Sequence, residues 1–454
     1  MSIEAKELRV SGESLKVALL TYRGTPTCGG QGVYIRHLSR ELVALGHQVE
    51  VFSGPPYPVL DPGVSLTELP SLDLYREPDP FRIPHPKEFK TRIDALEFAL
   101  MGTGAFPEPL TGSLRQARAL DPATWTATRR YDIIHDNQGL GRGLLKLRKQ
   151  LLPLKVPVVA TIHHPITVDR RHDLAAAGSP WKRFTKRRWY SFLPMQQEVA
   201  RQLDGVLTVS DLSLVDIPAE MGVRAERVHM VPLGVDPDVF SPRPEASVSG
   251  RIVVVTSADV PLKGLMVLLD ALAKLRVERP SAHLVCIGRA KPNGPADKRL
   301  DELGLRDAVT FRSDLSQEEL VDLMRSAEVA AVPSFYEGFC LPAVEEMACG
   351  LPLVATHVGA LPEIVGTDGS AGLLVPPGDA DALASALGRL LDDPELRRRL
   401  GAAGRRRVQE RFTWRAAAAG TADWYRERIA ALKGGAVFPE QSPVLDSAQA
   451  SEPC

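Results

Sequence analysis

Cysteine is scarce in this chain: Cys28, Cys286, Cys340, Cys349 and Cys454 are the only five among 454 residues. The number is odd, no CxxC occurs and the spacing is irregular. That argues against a disulfide framework or a zinc site and fits a reducing cytoplasm. Net charge is lacking too. Lys and Arg total 55 against 56 Asp and Glu, which leaves −1, so no global field favours nucleic acid or an anionic membrane. No apolar run reaches the ~18 residues of a spanning helix. The start, MSIEAKELRVSGES, lacks the apolar core of a signal peptide. No GxGxxG follows the first strand pattern, and GLGRG at 139–143 is too short a match to replace it. The remainder is ordinary globular composition, 44% hydrophobic and 24% charged, at a length that suits two or three domains.

Short β-branched runs alternate with helical patterns. LKVALLTY (15–22) reads as a buried strand, CGGQG (28–32) as a glycine loop, and VYIRHLSRELVALG as an amphipathic helix ending in glycine. HQVEVFSG, DIIHDN, VPVVATIH, GVLTVS and VHMVPLG continue the strand series. The pattern restarts at RIVVVTSA (251–258) and runs through HLVCIG, VTFRSD, VAAVPS, PLVATHVG and AGLLVPP. Such alternation predicts α/β architecture: two Rossmann-like, doubly wound domains with parallel sheets covered on both faces. Residues 1–14 are expected to be flexible, 15–237 to form the first domain and 238–412 the second. Residues 413–433 read as a final helix packing back on the first domain, and 434–454 as a disordered tail. The joint falls in the Pro- and Ser-rich DPDVFSPRPEASVSG. Residues 55–130 form an insertion rich in proline and poor in clear strands, expected to be irregular and either functional or mobile. Two such domains commonly face each other across a cleft, with ligands beyond the strands' carboxyl ends.

SFYEGFCLPAVEEMACG (334–350) places carboxylates inside an apolar run. VAAVPS is a strand, so Phe335, Tyr336, Glu337 and Gly338 lie in the loop at its carboxyl end. Pro342 suits a helix's first turn and Gly350 its C-cap. Glu337 then lies in the loop and Glu345 about a turn into the helix. A carboxylate can accept two hydrogen bonds from a diol, and helix-start amides favour a phosphate. On spacing alone, the two acids fit an N-cap and a solvated helix face equally well.

The stretch resembles the E-x7-E motif of the family-4 retaining glycosyltransferases with the GT-B fold. Glu337, Gly338, Phe339, Leu341, Pro342, Glu345, Met347, Ala348, Gly350 and Pro352 match in order, and the likeness runs from about Lys16 to Leu432. The resemblance implies transfer of a hexose from a nucleotide-sugar donor (UDP-, GDP- or ADP-linked) to an acceptor hydroxyl of a lipid, saccharide or small molecule, with the anomeric configuration kept. It implies that Glu345 binds the donor ribose, that Glu337 lies by the transferred sugar, and that the amides of Phe339, Cys340 and Leu341 lie near the sugar and diphosphate. Lys263 and Gly264, in SADVPLKGLMVLLDAL, match the family's phosphate-binding segment, where Lys263 would neutralise the leaving diphosphate. The arginine usual five residues earlier is Ala258 here. Arg289, in IGRAKPNG, is a candidate substitute.

Gly29 and Gly30 resemble the family's N-terminal glycine loop, although a GG pair also makes a simple turn. His163 takes the place of the family's cleft histidine, which contacts the transferred sugar; a lone histidine is otherwise often structural. His164 would alternate away from it if the strand persists, and Asp169 could orient either ring. His135 and Asn137 end a strand and either line the acceptor side or close a turn. Glu363 lies in a "GG-x-x-E" region whose second glycine is Ala360, and serves the site or a helix start. DPD (236–238) matches a metal-binding D-x-D by letter only, and no metal or cofactor is expected. WKRFTKRRWYSF (181–192) holds five basic and five aromatic residues. Trp181, Lys182, Arg183, Lys186, Arg187 and Arg188 could meet an anionic bilayer at the inner face of the membrane, an anionic soluble acceptor, or plain solvent with the aromatics packed inward. Two alternatives to a transferase stay open: a nucleotide-sugar epimerase and a catalytically silent nucleotide-sugar binder.

Overall fold

Runs of Val, Ile, Leu and Ala too short for helices become strands buried on both faces, which is the signature of a parallel sheet flanked by helices. The computed structural model describes residues 13–24, 30–76, 78–126, 129–256 and 260–435. Cys28, Gly29, Ala258 and Cys454 fall outside that range, as do residues 1–12 and 436–454 of the two ends expected to be disordered.

The described chain divides into two units. The first comprises residues up to Thr208, Ser213–Val231 and the chain from Ala418; the second comprises Val209–Leu212 and Pro232–Ala417. In the first unit, β1 (Lys16–Thr21), β2 (Gln48–Ser53), β3 (Ser65–Glu68), β4 (Ile133–Asn137), β5 (Val158–Thr161), β6 (Val206–Thr208) and β7 (Val228–Met230) form one sheet in the order β3-β2-β1-β4-β5-β6-β7. In the second, β8 (Arg251–Val255), β9 (His283–Ile287), β10 (Val309–Arg312), β11 (Val329–Val332), β12 (Leu353–Thr356) and β13 (Leu373–Val375) run β10-β9-β8-β11-β12-β13. Every pairing is parallel.

Strand order reverses once in each sheet, between β1 and β4 and between β8 and β11. Successive crossovers leave in opposite directions there, so the loops beyond the carboxyl ends part and leave a crevice. Register fixes the residues at each crevice: Leu20 pairs with Asp136, and Ala330 with Val253. The helix after β1, Gly30–Ala44, buries Tyr34, Ile35, Leu38 and Leu42 at helical spacing. The helix after the β8 loop, Leu265–Glu278, buries Leu265, Leu268, Leu269, Leu272 and Leu275.

The insertion is ordered rather than irregular. It supplies β3, paired with β2, and the helices Arg92–Gly102 and Glu108–Ala119. These elements escape hydrophobic patterning because β3 has only four residues and the first helix turns acids inward. Asp94 and Glu97 are buried there. Arg115 of the following helix reaches both, at 2.6 Å and 2.8 Å. The final helix, Trp414–Lys433, belongs to the first unit from Ala418 onward, and its Tyr425 hydroxyl hydrogen-bonds buried His135.

Removing one member of a buried charge network strands the others. Arg115→Ala is expected to lower unfolding free energy by about 3–5 kcal/mol, read as a lower urea midpoint at unchanged slope.

Candidate functional site

In the second unit, the crevice between β8 and β11 holds Lys263 and Glu337. Lys263 closes a short 3-10 turn, Pro261–Lys263, after β8. Its Nζ donates to Glu337 Oε1 at 2.8 Å, and Ser334 Oγ donates to the same oxygen at 2.7 Å. Glu337 is only 8% exposed, so an unpaired charge there would be costly; two donors on one oxygen offset that. Ser334 is held in turn, because Thr356 Oγ1 at the end of β12 donates to its carbonyl at 2.5 Å.

Two glycines allow this closeness. Gly264 has φ +67°, and a Cβ there would lie 1.9 Å from the Pro333 carbonyl oxygen. Gly359 has φ +56°, and its Cβ would lie 2.2 Å from the Glu337 carbonyl oxygen. Neither position accepts a side chain without backbone movement. The Phe335 amide donates to Leu262 O at 2.7 Å, and the Ala360 amide to Glu337 O at 3.0 Å. Three loops, after β8, β11 and β12, are thereby tied around one carboxylate.

Gly338, Phe339 and Cys340 lead into the helix Leu341–Ala348, with Pro342 in its first turn. Glu345 is partly exposed on this helix, and burial pushes its carboxyl up to about 7. Glu346, its neighbour, is fully buried, and neither of its oxygens has a hydrogen-bond partner. Burial and the adjacent Glu345 hold its pKa well above the ordinary value. Burial does the same for the Cys340 thiol, with Glu337 adding to it. Glu363 opens the short helix Leu361–Val365 and accepts from the Asp211 amide at 2.8 Å. Arg289 is exposed and pairs with Asp314.

In the first unit, β4 and β5 end side by side. Asn137 Nδ2 donates to Gln31 O at 3.1 Å, which orients the amide and turns Oδ1 towards His163 Nε2 at 2.8 Å. The network therefore assigns the proton to Nε2 and leaves Nδ1 as an acceptor. The Tyr34 ring meets His163 edge-on at 4.8 Å. Tyr34 OH and His135 Nε2 both hydrogen-bond Thr161 Oγ1, at 2.9 Å and 2.7 Å. Burial lowers the pKa of both His135 and His163 to about 3, so both rings are neutral near pH 7. β5 ends at Thr161, before the paired histidines. His164 consequently turns to Asp169, at 2.8 Å, and not to the opposite face of a strand. Gly30 begins the helix after β1.

The basic aromatic stretch is a helix, Pro180–Trp189. Trp181 and Phe184 are 71% and 53% exposed and stack on each other. Lys182, Arg183 and Arg187 are exposed around them. Lys186 pairs with Asp173, Arg188 with Thr103, and Trp189 packs on Tyr75 and Phe106.

Ser334, Thr356, Tyr34, Thr161 and Gln138, whose Oε1 accepts from the His163 amide at 2.7 Å, escape a sequence reading. Each is an unremarkable polar residue until the sheet aligns strand ends. A position at or just beyond a strand end was the one available signal, for Ser334, Thr356, Thr161 and Gln138.

Residues 240–407 match the family described as glycosyl transferases group 1, and residues 28–239 match Glycosyltransferase Family 4. An MMP alpha-(1->4)-mannosyltransferase of Mycolicibacterium hassiacum is 55% identical over 419 residues, 92% of this chain and 99% of the relative. A D-inositol 3-phosphate glycosyltransferase of Saccharomonospora viridis is 30% identical over 94% of this chain and 96% of its own length. Among solved structures, sucrose-phosphate synthase from Thermosynechococcus elongatus superposes with TM-score 0.69 at 27% identity, covering 92% of this chain and all of that one.

Raised carboxyl pKa values set two expectations. Glu345 should change protonation state between pH 6 and 8, read as a carboxyl carbon resonance that titrates near 7 and is absent in Glu345→Gln. Both acids also favour the fold when protonated. Their contribution is fully present below the ordinary value of 4.5 and is lost as pH rises through about 7 for Glu345 and higher for Glu346. Glu346→Met, of similar length and apolar, should stabilise the protein by about 1–3 kcal/mol, seen as a higher melting temperature at pH 8.

Proposed function

Because this chain belongs to the family-4 glycosyltransferases of GT-B fold, we propose that it moves a mannosyl group from a nucleoside diphosphate donor to a saccharide hydroxyl with retention. The observation that carries this reading is the Lys263–Glu337–Ser334 cluster at the strand-order reversal of the second sheet, just before the helix that carries Glu345. The 55% identical relative, named for an α-(1→4) mannosyl bond, supports mannose and a saccharide acceptor. A donor whose diphosphate is α-linked gives an α product only when configuration is kept.

Glu345 accepts the two ribose hydroxyls of the donor. Lys263 and the amides of Phe339, Cys340 and Leu341 face the diphosphate, and Glu337 accepts from hydroxyls of the sugar. The bond from C1 to the phosphate oxygen breaks, and its electron pair stays on the leaving diphosphate, where Lys263 meets the developing charge. The acceptor oxygen bonds to C1 from the same face, and its proton passes to the released phosphate. His163, neutral and carrying its proton on Nε2, offers Nδ1 as an acceptor to a sugar hydroxyl. In this reading Lys263 and the amides meet the diphosphate charge, and no metal ion takes part. No helix among the described residues is long and apolar enough to cross a membrane. Trp181, Phe184 and the cations around them are the surface through which an anionic bilayer could be met.

Nucleoside diphosphate release tests the reading, with GDP-mannose, UDP-glucose, UDP-N-acetylglucosamine and ADP-glucose supplied with and without oligomannoside. Acceptor-dependent release from one donor is expected, and Lys263→Ala should lower kcat about 10²–10³-fold. Acceptor-independent consumption of donor with little release would point to an epimerase, and binding without turnover to a silent binder.

A further inference from the structure

Just beyond β4 the backbone turns left-handed at two residues that carry side chains. Gln138 has φ +53° and Leu140 φ +49°, a region where glycine is at ease and other residues seldom sit. The turn is pinned from two directions. The Leu140 amide donates to Asp136 Oδ2 at 2.9 Å, and Gln196 Nε2 donates to the carbonyls of Gln138 and Gly139, at 3.3 Å and 3.1 Å. Glycine would take the Gln138 conformation freely. What glutamine adds at this buried position is a side-chain amide.

Pairing between β4 and β5 stops at Asn137 and Thr161. Beyond that point the Gln138 side chain takes over from the ladder. Its Oε1 accepts from the His163 amide at 2.7 Å, and its Nε2 donates to the His164 carbonyl at 2.8 Å. One amide thus grips the backbone on both sides of the peptide that joins the two histidines. Asn137 grips the ring. A carbonyl only accepts, so the atom meeting Gln31 O at 3.1 Å is Nδ2, and Oδ1 is left to face His163 Nε2 at 2.8 Å. Nε2 therefore carries the proton. The His163 side chain is partly exposed, and its Nδ1 has no hydrogen-bond partner among the described residues. Two adjacent residues fix backbone, ring direction and tautomer together, and the ring atom they leave open is an acceptor.

We propose that Asn137 and Gln138 are positioning residues of the reaction: Gln138 sets the backbone of His163 and Asn137 sets its ring and tautomer, so that Nδ1 accepts from a hydroxyl of a bound sugar. The proposal rests on the transferase reading above and adds the two residues that make His163 an acceptor. Tyr34 of the helix after β1, His135 of β4 and His164 are the titratable groups around the ring, and Asp169 is taken up by His164. Burial keeps Tyr34 and His135 uncharged near neutrality. The two amides accordingly select between tautomers of a neutral ring, not between charge states.

The test labels the full chain with 15N-histidine and identifies the His163 resonances by their absence in His163→Gln. Burial holds this ring's pKa at about 3, so near neutrality wild type should show a protonated, pyrrole-type Nε2 and a bare, pyridine-type Nδ1. Asn137→Leu removes the acceptor, and its His163 should populate both tautomers. With GDP-mannose and oligomannoside, well below the melting temperature, Asn137→Leu and Gln138→Met should each lower kcat/KM about 10–100-fold. Asn137→Asp keeps an acceptor for Nε2 but adds a charge that favours the imidazolium, in which Nδ1 no longer accepts. Its activity should approach wild type at high pH and fall as pH drops through the raised His163 pKa, a step that wild type lacks. A proton on Nδ1 in wild type would overturn the proposal, as would wild-type kcat/KM in the two apolar variants. Should those variants fail to fold, the wild-type tautomer and the Asn137→Asp profile decide, and a profile parallel to wild type counts against the proposal. Absence of any transfer by wild type would sink the transferase reading and this role within it, whereas a wrong tautomer would sink the proposal alone.

Discussion

The contact between Lys263 and Glu337 is the constraint around which the second unit is arranged. A carboxylate this deep cannot be left alone, and one cation from an adjacent strand's loop balances it. That cation reaches it only because Gly264 lets backbone lie against Pro333, and Gly359 lets another loop lie against Glu337. The strand-order reversal between β8 and β11 brings the two loops together in the first place. Ser334 and Lys263 both donate to one oxygen of Glu337, so the loop after β11 is held from two sides.

The first unit meets a related demand with neutral groups. Asn137 and Gln138 hydrogen-bond His163, and Tyr34 and His135 hydrogen-bond Thr161, which makes a row of two groups along the ends of β4 and β5. Because burial keeps both rings uncharged, the row fixes direction and tautomer instead of supplying charge.

The strand–helix alternation and the two restarting halves were legible because buried parallel strands read as continuous Val/Ile/Ala runs. The EGFCLPAVEE segment was legible because its proline, glycine and carboxylates mark a loop turning into a helix. Glu337 and Glu345 could be placed on that loop and helix, but Glu346 could not be told from Glu345 until helical rotation left one partly exposed and the other fully inside. The insertion was misread as irregular, since Asp94 and Glu97 point inward and Arg115 compensates them, which reverses the usual polarity rule. His135 was visible as a strand-end residue, but its partner Tyr425 is 290 positions away, and no local pattern carries such a pairing.

That last pairing bears on how the molecule is made. The first unit takes its strands from the beginning of the chain and its closing helix from Ala418 onward. During synthesis, the second unit's sheet and surrounding helices are complete while His135 still lacks the hydroxyl of Tyr425. Domains usually fold as they emerge, in chain order. Here the unit begun first is finished last, and His135 Nδ1 waits for its partner hydroxyl until Tyr425, 290 positions further on, has been made.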